Sequence, residues 1–119
     1  MNWQLDKKRP ICPQLCEQIC VMIARGDVKS DERIPSVRDI AVSAGVNPNT
    51  VQKAFDTLEK DNILYSVRGA GWYVGNETEK AKNMLLEIRR VQTKEYFEIM
   101  SQLGLTKEET IEYIKGWTE

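Results

Sequence analysis

Residues 35–55 read PSVRDIAVSAGVNPNTVQKAF, two short helical patterns joined by Ala44-Gly45-Val46. Ser36 is placed to cap the first helix, with Asp39 three residues on in the capping-box position. Val37, Ile40 and Ala41 share one helical face, and Gly45 suits the left-handed residue that closes a short helix. Asn47 is a good N-cap for the second helix, and Pro48 falls at its first position, where a missing N–H costs nothing. Val51, Ala54, Phe55 and Leu58 then follow i, i+3, i+4, i+7 spacing, which leaves Asn49, Thr50, Gln52 and Lys53 pointing outward. The pattern predicts a helix-turn-helix whose second helix carries polar side chains suited to a DNA major groove.

Upstream, residues 1–10 predict an extended arm, in which Trp3 and Leu5 alternate with polar neighbours and Lys7-Lys8-Arg9 precede Pro10. A helix is expected from about Pro13 to Arg25, with Leu15, Ile19, Met22 and Ile23 on its buried face and Gly26 past its end. Cys12, Cys16 and Cys20 lie on that helix at intervals of four. At 100° per residue, Cys12 is expected nearest the centre of the apolar face and Cys20 farthest from it. Two readings stand: a row of small hydrophobes at the core, or a soft-metal or redox sensor. The second lacks the paired short cysteine spacings and the histidine of a usual zinc site.

Downstream, the second motif helix should end near Asp61-Asn62. Residues 63–67 read as a strand, Arg68-Gly69-Ala70-Gly71 as a turn and Trp72-Tyr73-Val74 as the returning strand. A hairpin directly after a helix-turn-helix is the wing of a winged helix. Residues 77–103 then form a long amphipathic helix, broken at Gly104, and Thr106 with Glu109 makes a capping box for a last helix carrying Ile111, Ile114 and Trp117. Two such helices cannot bury their stripes alone, so pairing with the same element of a second chain is expected. The expected fold is mainly α with a small β-hairpin: a winged helix-turn-helix domain over residues 1–76, followed by a C-terminal two-helix dimerisation hairpin over residues 77–119.

With 119 residues, 41% of them hydrophobic and 29% charged, the chain is of an ordinary globular kind. No apolar run approaches the ~18 residues of a membrane span, and MNWQLDKKRP lacks a signal-peptide core, so a cytoplasmic location without membrane partner is expected. Net charge is −1, with ten Lys and Arg against nine Asp and Glu in residues 1–76 and seven against nine thereafter. Any affinity for DNA must therefore come from where basic side chains project, not from their total. Without histidine, a Gly-rich phosphate loop or a nucleophile elbow, the chain does not look like an enzyme, and no cofactor is expected.

Residues 10–75 resemble the DNA-binding domain of the GntR family of bacterial transcription regulators. The resemblance is carried by Pro10-Ile11, Ile34-Pro35-Ser36-Val37-Arg38-Asp39, Val46-Asn47-Pro48-Asn49-Thr50-Val51, Leu58-Glu59, Ile63 and the wing Arg68-Gly69-x-Gly71-x-Tyr73-Val74. The short two-helix tail and the Asn47-Pro48-Asn49-Thr50 run are similar to the YtrA-like subfamily. Before Ile34 the family usually has Pro-Gly where this chain has Ser30-Asp31, which leaves the turn type there open.

The resemblance implies a homodimer on a near-palindromic operator, a repressor in character, with a transporter operon as target. It places Arg38 at the DNA, where an arginine can fork onto guanine or clamp a phosphate. Asn49 and Gln52 have the donor and acceptor that read adenine, and Thr50 and Lys53 suit phosphates. Asn47 divides itself between capping and the backbone, beside Pro48, and Arg68 with Gly69 fits a minor-groove wing. The competing reading is a winged-helix module that binds a partner protein. An effector site would fall near the dimer helices, with Trp72, Tyr96, Phe97 and Trp117 as aromatic candidates; packing is their alternative role.

Overall fold

The structure, a computed structural model, describes residues 2–119. Its elements run α1 (Ile11–Ala24), α2 (Val37–Ala44), α3 (Pro48–Lys60), β1 (Leu64–Val67), β2 (Gly71–Val74), α4 (Thr78–Gln102) and α5 (Lys107–Lys115). This is the expected winged helix-turn-helix followed by two helices. One compact unit runs to Leu85 and a second covers Leu86–Glu119. The first unit takes in the opening turns of α4, where Ala81 and Leu85 are buried.

The core of the first unit lies where α1, α2 and the hairpin close over α3. Leu15 and Ile19 of α1, Ile40 of α2, and Leu64 and Val74 of the hairpin are at most 1% exposed, as are Val51, Phe55 and Leu58 of α3. β1 and β2 pair antiparallel, Leu64 opposite Val74 and Val67 opposite Gly71. Trp72 meets Phe55 edge-on, ring centres 5.1 Å apart, which ties the hairpin to α3.

A third extended segment joins the hairpin. The Ile34 amide donates to the Trp72 carbonyl at 3.0 Å, Val74 to Glu32 at 2.9 Å, and Asp31 to Val74 at 2.7 Å. The outer edge of β2 is therefore paired over residues 31–34. Asp31 holds φ 65°, the left-handed region, in the turn whose type the sequence left open. Aspartate tolerates that conformation better than most residues, and here its carboxylate also accepts the Tyr65 hydroxyl at 2.8 Å. That hydrogen bond holds the Tyr65 phenol above its ordinary pKa.

The arm is held by two glutamines. Gln14, 3% exposed, accepts the Asp6 amide at 2.7 Å and donates to the carbonyls of Asp6, Arg9 and Pro10. Gln18 accepts the Gln4 amide and donates to the Gln4 carbonyl. With Pro10 at its N-cap, α1 has no side-chain cap of its own, and Gln14 instead ties the carbonyls that lead into the helix to its first turn.

The cysteine order departs from the helical-wheel expectation. Cys20 and Cys16 are buried and Cys12 is only half-buried. The reason is that α1 is covered on more than one side. The Cys16 thiol lies 3.6 Å from the Ala54 carbonyl of α3, while the Cys20 sulfur lies 3.5 Å from the Met84 sulfur of α4. Burial pushes both thiols from an ordinary 9.0 up to about 12, helped at Cys16 by the neighbouring Cys12 and at Cys20 by Asp61 and Glu17.

Two outcomes are expected. A β-carbon at Gly75 would run into the Asn62 carbonyl oxygen, whereas one at Gly116 would meet nothing closer than 3.8 Å. Gly75→Ala should therefore lose about 1–3 kcal/mol in urea unfolding, with Gly116→Ala close to wild type. An unfolded chain releases its thiol protons from about pH 9, while the native fold holds those of Cys16 and Cys20 to about 12. Their contribution to stability is thus full below about pH 9 and is lost as pH rises through that window. Unfolding midpoints measured from pH 8 to 11 on the wild type and a Cys16→Ala, Cys20→Ala double variant should converge towards alkaline pH.

Candidate nucleic-acid interface

Helix α2 starts at a Ser36 cap, whose Oγ accepts the Asp39 amide at 3.0 Å, and it ends on Gly45 at φ 69°. The Val46 amide reaches back to the Ala41 carbonyl and the Gly45 amide to Val42, the double closure of a Schellman turn. That turn redirects the chain within two residues, and Asn47 then caps α3, its Oδ1 accepting the Asn49 amide at 2.8 Å. Pro48 follows at the first helical position. The angle between the two helices is thus set by local chemistry that was legible in the sequence.

Val51, Ala54, Phe55 and Leu58 are each 0% exposed, so α3 has one sealed face and one open one. Asn49, Gln52 and Lys53 are exposed at i, i+3 and i+4 on the open side. Thr50 is half-buried rather than fully outward, because it sits at the border between the two faces. Arg38 is exposed in the first turn of α2. Asn47 and Pro48 are exposed at the start of α3, with the Asn47 side chain committed to its cap.

The wing tip is a tight turn in which the Ala70 amide donates to the Val67 carbonyl at 2.9 Å. Gly69, at φ 80°, takes the conformation that a type II turn requires at its third residue. Arg68 is exposed beside it. The Ser66 hydroxyl, 3.2 Å from the Glu59 carboxylate, links the base of the wing to α3.

Two residues at this surface escaped the sequence reading. Asp56 accepts the Gln52 amide at 2.9 Å. The bond uses one of the two amide N–H groups and leaves the other N–H together with Oε1. The i, i+4 spacing of Gln52 and Asp56 was the signal for it. Arg33 lays its guanidinium along the wing, with Nε 3.1 Å and Nη2 3.4 Å from where a β-carbon on Gly71 would stand. Only the pairing of residues 31–34 with β2 brings it there.

Among the described residues, no group of three or more His, Cys, Asp or Glu side chains is arranged to hold a metal. Trp72 is packed against Phe55, Tyr96 and Phe97 stack edge-on at 6.3 Å, and Trp117 rests against Tyr113 at 6.0 Å. Among the described residues, no helix is long and apolar enough to cross a membrane.

Comparison with known proteins matches residues 13–74 to the family model described as bacterial regulatory proteins, gntR family. The chain is similar to the uncharacterized HTH-type transcriptional regulator YhcF of Bacillus subtilis (strain 168), 33% identical over 119 residues, covering 100% of this chain and 98% of that protein. It is also 36% identical over 94 residues to the HTH-type transcriptional repressor YtrA of the same organism, covering 77% of this chain and 70% of that one. Among solved structures, a GntR family transcriptional regulator from Listeria monocytogenes superposes with a TM-score of 0.81 at 32% identity, covering 96% of this chain and 100% of that one. The AraR DNA-binding domain in complex with an operator superposes at 0.53 with 28% identity, over 63% of this chain and 94% of that one.

The cap geometry yields a stability outcome independent of any ligand. Asn47→Ala removes the acceptor for the Asn49 amide and should lower unfolding stability by about 0.5–2 kcal/mol, while Asn47→Ser should recover most of it. Paired denaturant titrations of the two variants measure the difference.

Proposed function

Because the chain belongs to the gntR family of bacterial regulatory proteins and is YtrA-like within it, we propose that it is a transcriptional repressor. In this reading it binds a near-palindromic operator as a homodimer, one α3 in each of two successive major grooves. The observation that carries the DNA part is the two-sidedness of α3: a face at 0% exposure opposite an exposed run of Asn49, Gln52 and Lys53.

The roles follow from donor and acceptor chemistry. Arg38 forks onto guanine O6 and N7 or clamps a phosphate, and Asn49 offers adenine its matched acceptor and donor. Gln52, steadied by Asp56, keeps the one N–H and one oxygen that the same base edge needs, and it loses less side-chain freedom on docking. Lys53 and the half-buried Thr50 meet phosphates, with Asn47 and Pro48 bringing the helix start close to the backbone. Arg68 enters the minor groove from the wing, where Gly69 permits close approach.

Support for the homodimer comes from the second unit. Of eleven large hydrophobic side chains left exposed among the described residues, nine lie between Leu86 and Trp117, among them Leu103 at 73% and Trp117 at 60%. So much apolar surface on 34 residues is the signature of a face made to be covered. A two-fold axis through these helices presents two reading heads to a symmetric site. The chain's own operon is the proposed target, and transporter genes within it would match the subfamily resemblance.

A mobility-shift titration with the promoter DNA of that operon tests the reading. Binding should exceed that of random DNA by at least about a thousandfold at physiological salt. No preference over random DNA would overturn it. On the bound operator, Arg38→Ala should cost about 1–3 kcal/mol and relax one base preference. Lys53→Ala should instead weaken all sequences alike and flatten the salt dependence.

A further inference from the structure

The second unit carries two apolar grooves of opposite rim charge. The first, about 520 Å³, runs along α4 from Leu86 to Glu98 and is rimmed by Arg89, Arg90, Lys94 and Lys107, with Glu98 as the one carboxylate. The second, also about 520 Å³, lies on α5 around Leu105 and Tyr113 and is rimmed by Glu108, Glu109 and Glu112. Their rims differ in how far they are already satisfied. Arg90 is held by Glu87, at 2.7 Å, and Glu109 by the Thr106 capping box. Among the described residues, Arg89, Lys94 and Lys107 meet no carboxylate within ion-pair distance, nor does Glu108 meet a cation; Glu112 touches only the exposed Lys115, at 3.3 Å.

We infer that α5 of one copy seats in the α4 groove of a second copy, so that Glu108 and Glu112 face Arg89 and Lys94 across the interface. The inference rests on the homodimer reading above and adds to it which helix meets which. Two features agree: both surfaces have apolar floors, and their rims carry largely complementary charge. In a two-fold dimer a contact from α5 to the partner's α4 occurs twice, so one pair of complementary strips is satisfied at both ends by a single operation. The apolar floors supply most of the attraction, and the charged rims fix the register and exclude the alternative in which like grooves face each other.

Charge reversal in the full chain tests the seating. Variant one is Arg89→Glu with Lys94→Glu; variant two is Glu108→Lys with Glu112→Lys. Each alone puts like charges across both copies of the contact and should weaken self-association at least about tenfold in sedimentation equilibrium. Mixed in equal amounts, the two should recover a heterodimer near wild-type affinity, because reversed α4 meets reversed α5 at one contact and unaltered α5 meets unaltered α4 at the other. That recovery also establishes that neither variant has misfolded, and circular dichroism of each alone checks the same point. If the wild type is a dimer and both variants dimerise as tightly, the basic groove belongs to some other acidic occupant and the seating is overturned while the homodimer stands. Variants that lose dimerisation but retain wild-type circular dichroism and do not recover on mixing also overturn the seating. A wild type that sediments as a monomer at high micromolar concentration removes both readings.

Discussion

Everything in the winged unit depends on sealing one face of α3. Val51, Ala54, Phe55 and Leu58 are wholly buried, each contributing roughly 1.5–3 kcal/mol relative to exposure for the larger side chains. A helix turns 100° per residue, so fixing the azimuth of those four fixes the azimuth of all the rest. Asn49, Gln52 and Lys53 are therefore aimed by the core and not by each other. The Phe55–Trp72 contact extends the same constraint to the wing. Anything that rotates α3 to repack Phe55 also rotates the surface that faces outward.

Around that core, polar side chains do work that apolar ones cannot. Among the described residues, no buried side-chain nitrogen or oxygen lacks a partner, and Gln14 shows how this is achieved. A buried amide is costly unless matched, and Gln14 is matched by backbone groups of the arm and of the residues leading into α1. The arm is thereby fastened to a helix whose own N-cap is a proline. Asp31 solves a related problem at the edge of the wing. It accepts a left-handed backbone, and its carboxylate gains the Tyr65 hydroxyl.

Charge acts locally in this protein. With a net charge of −1, long-range attraction to a polyanion is weak, so in the proposed reading the few cations near α3 and the wing supply both attraction and choice. Asp56 sharpens this further, because a carboxylate beside Gln52 disfavours indiscriminate phosphate contact while orienting an amide. In the second unit, the groove along α4 is rimmed mainly by cations and the one on α5 by carboxylates, around exposed apolar side chains. Segregated rims on apolar floors favour one mode of association over others of similar area.

Much was legible in the sequence because it was local. Ser36, Gly45, Asn47, Pro48, Thr106 and Glu109 declare caps and turns within a few residues of themselves, and the spacing of Val51 to Leu58 declares a buried face. Asn62 likewise takes a left-handed conformation just past α3, where the sequence placed the end of the helix. The candidate surface followed as the complement of that face, with Thr50 the residue whose border position the periodicity did not resolve. What needed the tertiary structure was every feature made by two distant segments. Cys20 is buried because Met84 of α4 covers it, Gln14 because the arm folds over it, and Arg33 lies against the wing because residues 31–34 pair with β2. A helical wheel carries one apolar centre, whereas α1 is covered from several directions. Periodicity along a chain reports which side of an element is apolar; which neighbours arrive on that side, and how widely they cover it, is settled only when the segments pack.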